Sequence, residues 1–211
     1  MARILIFGDS IAWGAWDIKG GWANRLRSEL DKSELGRPDK HIQAYNLGIS
    51  GDTSGGVLER LENEIKARIP ASKEISIIIS IGANDTQYIK SENRVRTSPE
   101  KFRENIERLI EISGKYSQEI LFLGLTPVQE EKTIPIPWSP DKSYNNERIR
   151  EYNKILEEIC GKKEIPFLEL ISLFEKRGKE SLLFDGLHPN SKGHELIFQE
   201  VKKSLEKNKL I

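Results

Sequence analysis

A serine at position 10 and an Asp-x-x-His pair at 185–188 are the residues of this 211-residue sequence best suited to covalent chemistry. Ser10 follows Gly8-Asp9, and Asp185-Gly186-Leu187-His188-Pro189 supplies an imidazole with a carboxylate three residues before it. Acyl transfer needs these parts. A serine hydroxyl attacks a carbonyl, a histidine takes its proton and returns it to the leaving alcohol, and an aspartate fixes the imidazole tautomer. The spacing puts Asp185 and His188 on one face of a turn, so one short segment can deliver both. The oxyanion that forms needs preorganised donors. The backbone N–H groups of Ser10 and Gly48 and the side-chain amide of Asn84 are the candidates. A glycine suits that role because nothing beyond its Cα hinders approach to its N–H.

These residues can meet only if the chain carries them to one edge. The apolar run Ile4-Leu5-Ile6-Phe7 reads as a strand buried on both faces, ended by Gly8. A loop with Trp13 and Trp16 is expected next, then a helix from about Trp22 to Asp31. A second strand over Ile42–Leu47 ends at Gly48. The second helix carries Val57, Leu58, Leu61, Ile65 and Ile69 on one face and is closed by Pro70. A third strand, Ile75–Ile81, ends in Gly82-Ala83-Asn84-Asp85. Ser98 and Pro99 open a third helix that stops at Gly114. A fourth strand over Ile120–Leu125 leads into a proline-rich stretch, 127–143, with Pro127, Pro135, Pro137 and Pro140. A loop of that length is expected to act as a lid or a binding loop. A helix carrying Ile149, Tyr152, Leu156 and Ile159, a short strand at Pro166–Leu168 and a last helix behind Asn190 complete the chain. Strands alternating with helices mean a parallel sheet covered on both faces, here in one domain over 1–211. Parallel strands present their carboxyl ends on one side, where ligands bind in open α/β sheets.

Composition narrows the function classes. Lys+Arg and Asp+Glu are 33 each, so no basic excess points to nucleic acid. The single Cys160 excludes an intramolecular disulfide and reads as a core residue. No apolar stretch is long enough to span a bilayer, and the start shows no signal-peptide pattern. A cytoplasmic protein is the expectation. Three histidines without His-Glu-x-x-His offer no zinc set, so no metal or cofactor is expected. His41 and His194 read as surface residues, and Ser50, Thr53 and Ser54 as helix-start caps.

Each motif taken singly also reads as turn chemistry, since Gly, Asp, Asn and Ser are turn formers. Their order, each at an expected strand end or helix start, favours one acyl-transfer site. The sequence resembles the GDSL-type, or SGNH-type, hydrolases. The resemblance rests on Gly8-Asp9-Ser10, on Gly48 within Asn46-Leu47-Gly48, on Asn84 within Gly82-Ala83-Asn84-Asp85, and on Asp185-Gly186-Leu187-His188-Pro189. Ile11 stands where the family's name has leucine. The resemblance implies a flavodoxin-like three-layer α/β/α sandwich with five parallel strands in the order 2-1-3-4-5. It also implies a shallow site and ester hydrolysis without a metal, with Ser10, Asp185 and His188 as catalytic residues and Ser10, Gly48 and Asn84 around the oxyanion.

The expected function is hydrolysis of small carboxylic esters with short acyl or acetyl groups. Trp138 is expected to touch substrate. Trp13 and Trp16 either wall the pocket or pack against the first helix. Asp9 and Asp85 read as supporting hydrogen-bonding groups. Two other functions compete. The same triad could pass the acyl group to an acceptor other than water. A non-catalytic, flavodoxin-like module for a nucleotide or flavin is disfavoured, because the Gly-x-x-x-x-Gly-Lys-Ser/Thr and Gly-x-Gly-x-x-Gly signatures are missing. Ala12 stands where the nucleophile elbow Gly-x-Ser-x-Gly has its last glycine, which argues against the larger α/β-hydrolase fold.

Overall fold

A computed structural model describes residues 2–35, 41–72 and 74–207. The apolar run near the amino terminus forms β1 (Ala2–Gly8), with Ile4 to Phe7 essentially inaccessible to solvent. Side chains alternate along a strand. Leu5 and Phe7 therefore enter one core and Ile4 and Ile6 the other. This two-sided burial is why the run is continuous rather than alternating. Around β1 lie β2 (Ile42–Gly48), β3 (Ile75–Ser80), β4 (Glu119–Leu123) and β5 (Phe167–Leu168), in the order β2-β1-β3-β4-β5. Every pairing is parallel, so the expected order 2-1-3-4-5 is the observed one. Gly8 stands level with Gly48 on one side and Ser80 on the other.

Ser10–Trp13 is a one-turn helix, α1. The five long helices are α2 (Gly21–Glu34), α3 (Ser54–Lys66), α4 (Pro99–Gly114), α5 (Asn146–Lys162) and α6 (Ser191–Lys207). Val57, Leu61 and Ile65 of α3, Phe102, Ile106 and Leu109 of α4 and Tyr152 and Leu156 of α5 pack on the Leu5/Phe7 face. Trp22 and Leu26 of α2 and Ile197, Val201 and Leu205 of α6 pack on the other. The caps follow the sequence: Ser98 accepts from Lys101 N, and Asn190 Oδ1 accepts from Lys192 N and Gly193 N.

Three local expectations change. The stretch after Ser10 is not all loop. Asp9 caps α1 by accepting from Ile11 N, and Gly14 closes it at φ 96°, a conformation glycine takes without strain. Helix α3 ends at Lys66 and does not reach Pro70. The chain tightens there, with Arg68 N bonded to Ile65 O, and Ile69 is left partly exposed. The proline-rich stretch holds structure of its own. It contains a helical turn, Glu130–Thr133, and a strand, Lys142–Ser143, that joins Tyr88–Ile89 and Arg94–Val95 in a small antiparallel sheet. Val128, Ile136 and, directly after the stretch, Tyr144 are its buried anchors. Strands of two residues are too short to show a period, so none of the three could be read from the sequence.

Candidate active site

Ser10 is the first residue of α1, just beyond the end of β1. Its N–H lies in the first turn of a helix and so has no acceptor within the helix. Its Oγ stands 2.9 Å from His188 Nε2. His188 Nδ1 stands 2.7 Å from Asp185 Oδ2. The other oxygen, Oδ1, accepts from the backbone N–H groups of His188 at 2.8 Å and Leu187 at 3.0 Å. One carboxylate thus fixes both the turn and the ring. Burial favours the neutral form of Asp185, but the hydrogen bonds from His188 and Leu187 outweigh it and hold the group below the usual carboxylate range. An ionised Asp185 accepts the Nδ1 proton and leaves the Nε2 lone pair facing the serine.

The candidate oxyanion donors are not equally free. Asn84 opens a 3-10 turn, Asn84–Thr86, after β3. Its Nδ2 donates to Asp52 O at 3.0 Å, while its second proton has only a 3.4 Å contact with Asp9 Oδ2. The Gly48 N–H donates to Asn46 Oδ1 at 3.0 Å, so it could serve an oxyanion only by sharing or exchanging that bond. Asn46 also donates to Ala12 O at 2.9 Å, joining the end of β2 to α1. Gly48 is needed for that approach. A Cβ there would sit 2.4 Å from Trp13 N and 2.9 Å from Asp9 O.

Asp9 and Asp85 lie beneath the site. Burial pushes Asp9 up to about 7, against the opposing hydrogen bond from Ile11 N. Asp85 is wholly buried and is also raised by burial. It accepts from Ser54 N and Ser54 Oγ, tying α3 to the Asn84 turn. Thr53 is the N-cap of α3, as expected, whereas Ser54 makes the Asp85 contact. Cys160 is buried in the core, its thiol pushed up to about 12 by burial.

The tryptophans divide. Trp138 packs tilted against His188, ring centroids 6.3 Å apart. Trp16 meets His188 edge-on at 6.1 Å and stacks on Phe184 at 6.0 Å. Its Nε1 lies 3.2 Å from His188 Nδ1, but the Nδ1 proton is committed to Asp185, so we read the contact as packing. Trp16 holds φ 62°, a costly conformation for a bulky residue. Trp13 instead lines a groove of about 460 Å³ along α2 and β2, with Asn24, Arg27, Gln43 and Tyr45. None of Ser10, Asp185 and His188 lines that groove. Phe184 was not legible as a site residue, although its position directly before Asp185 was a usable signal.

His194 is a correction. Its place in a charged helix reads as surface, yet it is fully buried, with Nε2 3.3 Å from Ala15 O. The glycines at 14, 20 and 21 let the Trp16 loop fold close over α6 and cover it, and a Cβ at Gly21 would lie 3.4 Å from its Cε1. Among the described residues no three His, Cys, Asp or Glu side chains are grouped as metal ligands would be, and no helix is long and apolar enough to cross a membrane.

The model of the GDSL-like lipase/acylhydrolase family matches residues 6–196. The isoamyl acetate-hydrolyzing esterase of Saccharomyces cerevisiae is 25% identical, aligned over 97% of this chain and 86% of its own. The isoamyl acetate-hydrolyzing esterase 1 homolog of Bos taurus is 26% identical over 97% of this chain and 82% of its own. The lipase/acylhydrolase of Enterococcus faecalis superposes with a TM-score of 0.76 at 24% identity, covering 99% of this chain and 97% of that one. The match runs unbroken from the strand before Ser10 to the helix after His188, and the chain belongs to the GDSL-like lipase/acylhydrolase family.

Proposed function

We propose that this carboxylic ester hydrolase works through an acyl-enzyme on Ser10, with His188 as the base and Asp185 as its orienter. The observation that carries the reading is the continuous line from Ser10 Oγ to His188 at 2.9 Å and from His188 to Asp185 at 2.7 Å. Ser10 Oγ attacks the ester carbonyl carbon and His188 Nε2 takes its proton. The carbonyl oxygen becomes an oxyanion, facing the Ser10 N–H, the Asn84 amide and a shared Gly48 N–H. The intermediate collapses, and the alcohol leaves with the proton from His188. Water then repeats the attack, giving up a proton to His188, and the carboxylic acid departs as Ser10 regains its hydrogen.

The substrates are esters of short acyl groups. The acetate ester in the yeast relative's description agrees with this. The cavity beside Asp9 and Ile11 measures about 10 Å³, room for a single water. Trp16, Trp138 and Phe184, each more than half exposed, form an open apolar rim for the alcohol portion.

The test is a series of p-nitrophenyl esters of rising chain length, with Ser10→Ala as control. Turnover should be best for acetate and fall with length, and Ser10→Ala should lower kcat by at least about 10³-fold. A folded Ser10→Ala protein with wild-type turnover refutes the nucleophile. Adding alcohol acceptors separates hydrolysis from acyl transfer: a new ester product in place of free acid would assign the chain to transfer.

A further inference from the structure

We infer that Tyr144, held in turn by Gln87, is a positioning residue that, with the Asp52 carbonyl at the other end, sets which way the Asn84 amide points, and so makes Asn84 a hydrogen-bond donor to the substrate. This inference rests on the reading of Asn84 as an oxyanion donor. The contacts are short and buried. Tyr144 Oη donates to Asn84 Oδ1 at 3.0 Å, and Gln87 Nε2 donates to Tyr144 Oη at 2.6 Å. Asn84, Gln87 and Tyr144 are all less than a tenth exposed.

The direction of each bond is forced. The main-chain carbonyl of Asp52 can only accept, so the Asn84 atom 3.0 Å from it must be the NH2 group. The other end of the amide is then the oxygen, which requires a donor. Tyr144 is the group facing it and must spend its single hydroxyl proton there. The phenol oxygen then has only lone pairs left, and the Gln87 end that faces it must be its NH2. Burial raises the Tyr144 phenol well above its usual value, so it remains a donor at every pH at which the enzyme would work. A flipped Asn84 would turn its oxygen toward the developing oxyanion, replacing attraction with repulsion.

The clamp is itself anchored. Tyr144 N donates to Thr133 O at 3.0 Å, and the buried Thr133 Oγ1 donates to Tyr144 O at 2.9 Å. Gln87 follows the Asn84 turn directly. The proline-rich stretch thus delivers the Tyr144 hydroxyl to the amide from one side while Gln87 fixes it from the other.

The experiment compares p-nitrophenyl acetate kinetics of Tyr144→Phe, Asn84→Ala and the double variant. Asn84→Ala should lower kcat by about 10²–10³-fold. Tyr144→Phe should lower kcat by about 10- to 100-fold with KM nearly unchanged, because the loss is confined to the transition state. In the Asn84→Ala background it should cost less than about twofold, since there is no amide left to orient. An equal cost in both backgrounds overturns the inference. Asn84→Ala with wild-type kcat would instead sink the oxyanion reading and leave a different signature. If Tyr144→Phe does not fold, Gln87→Glu retains the volume and, at pH 8, offers a carboxylate that accepts the phenol proton and draws it from Asn84. It should lose kcat likewise, and wild-type kcat in that variant would also overturn the inference.

Discussion

Acidification should test the burial of His194 directly. Its Nε2–H points at Ala15 O, and its Nδ1 is buried with no partner in the protein. Protonation would put a charge and a donor where nothing can accept it. Burial therefore pulls His194 down from the ordinary 6.5 to about 4, and Asp17, Arg25 and His188 are the charged or titratable groups that act on it. The unfolded chain takes up this proton near 6.5 and the folded chain resists it to about 4. Stability is complete above the first value and is lost as pH falls toward the second. At about 1.4 kcal/mol per tenfold, the gap corresponds to about 3 kcal/mol. Other groups cross the same range. Asp9, raised to about 7, and the raised Asp85 stabilise the fold as pH falls, and Asp17, lowered to about 2, acts only in stronger acid. The raw pH profile of the wild type mixes these terms. The informative quantity is the difference from His194→Gln, whose amide can still reach Ala15 O. Urea unfolding of both proteins at pH 7.5 and 4.5 should show the wild type losing between about 2 and 3 kcal/mol more than the variant. Identical losses would refute a buried neutral imidazole as the cause.

Two further substitutions probe the site. Asp185→Asn retains the shape of the turn but donates where His188 Nδ1 also donates, favouring the wrong tautomer. Stopped or steady-state kinetics should show kcat down by about 10³–10⁴-fold, and a loss under tenfold would mean that Asp185 does not set the tautomer. Gly48→Ala adds a Cβ 2.4 Å from Trp13 N, a backbone atom that cannot swing aside. We expect about 1–3 kcal/mol of destabilisation in chemical denaturation, together with reduced turnover as α1 and Ser10 are displaced. An unchanged midpoint and rate would show that β2 and α1 have room to separate.

The sheet was legible in the sequence because its information is local. Ile4–Phe7 and Ile77–Ile79 are apolar without alternation, as a strand buried on both faces requires, and the glycine and Asp/Asn turns mark their carboxyl ends. Ser98 before Pro99 and Asn190 before α6 act within two or three residues, so their caps could be read directly. Ser10, Asn84, Asp185 and His188 were singled out because residue types that perform chemistry recur at those ends. What decided the rest was distance along the chain. Tyr144 lies 60 residues from Asn84, and no pattern around either one encodes that contact. The small sheet of Tyr88–Ile89, Arg94–Val95 and Lys142–Ser143 is built from two-residue strands too short to have a period. Trp13 and Trp16 are equivalent as sequence, yet the closure of α1 at Gly14 sends one to the α2/β2 groove and the other to His188. His194 sits in a charged helix and looks solvated until the Trp16 loop covers it. Local patterning thus determined which elements form and where the candidate site residues sit on them. Packing between distant segments determined which donors are free, which way the Asn84 amide faces and which aromatic rings meet His188.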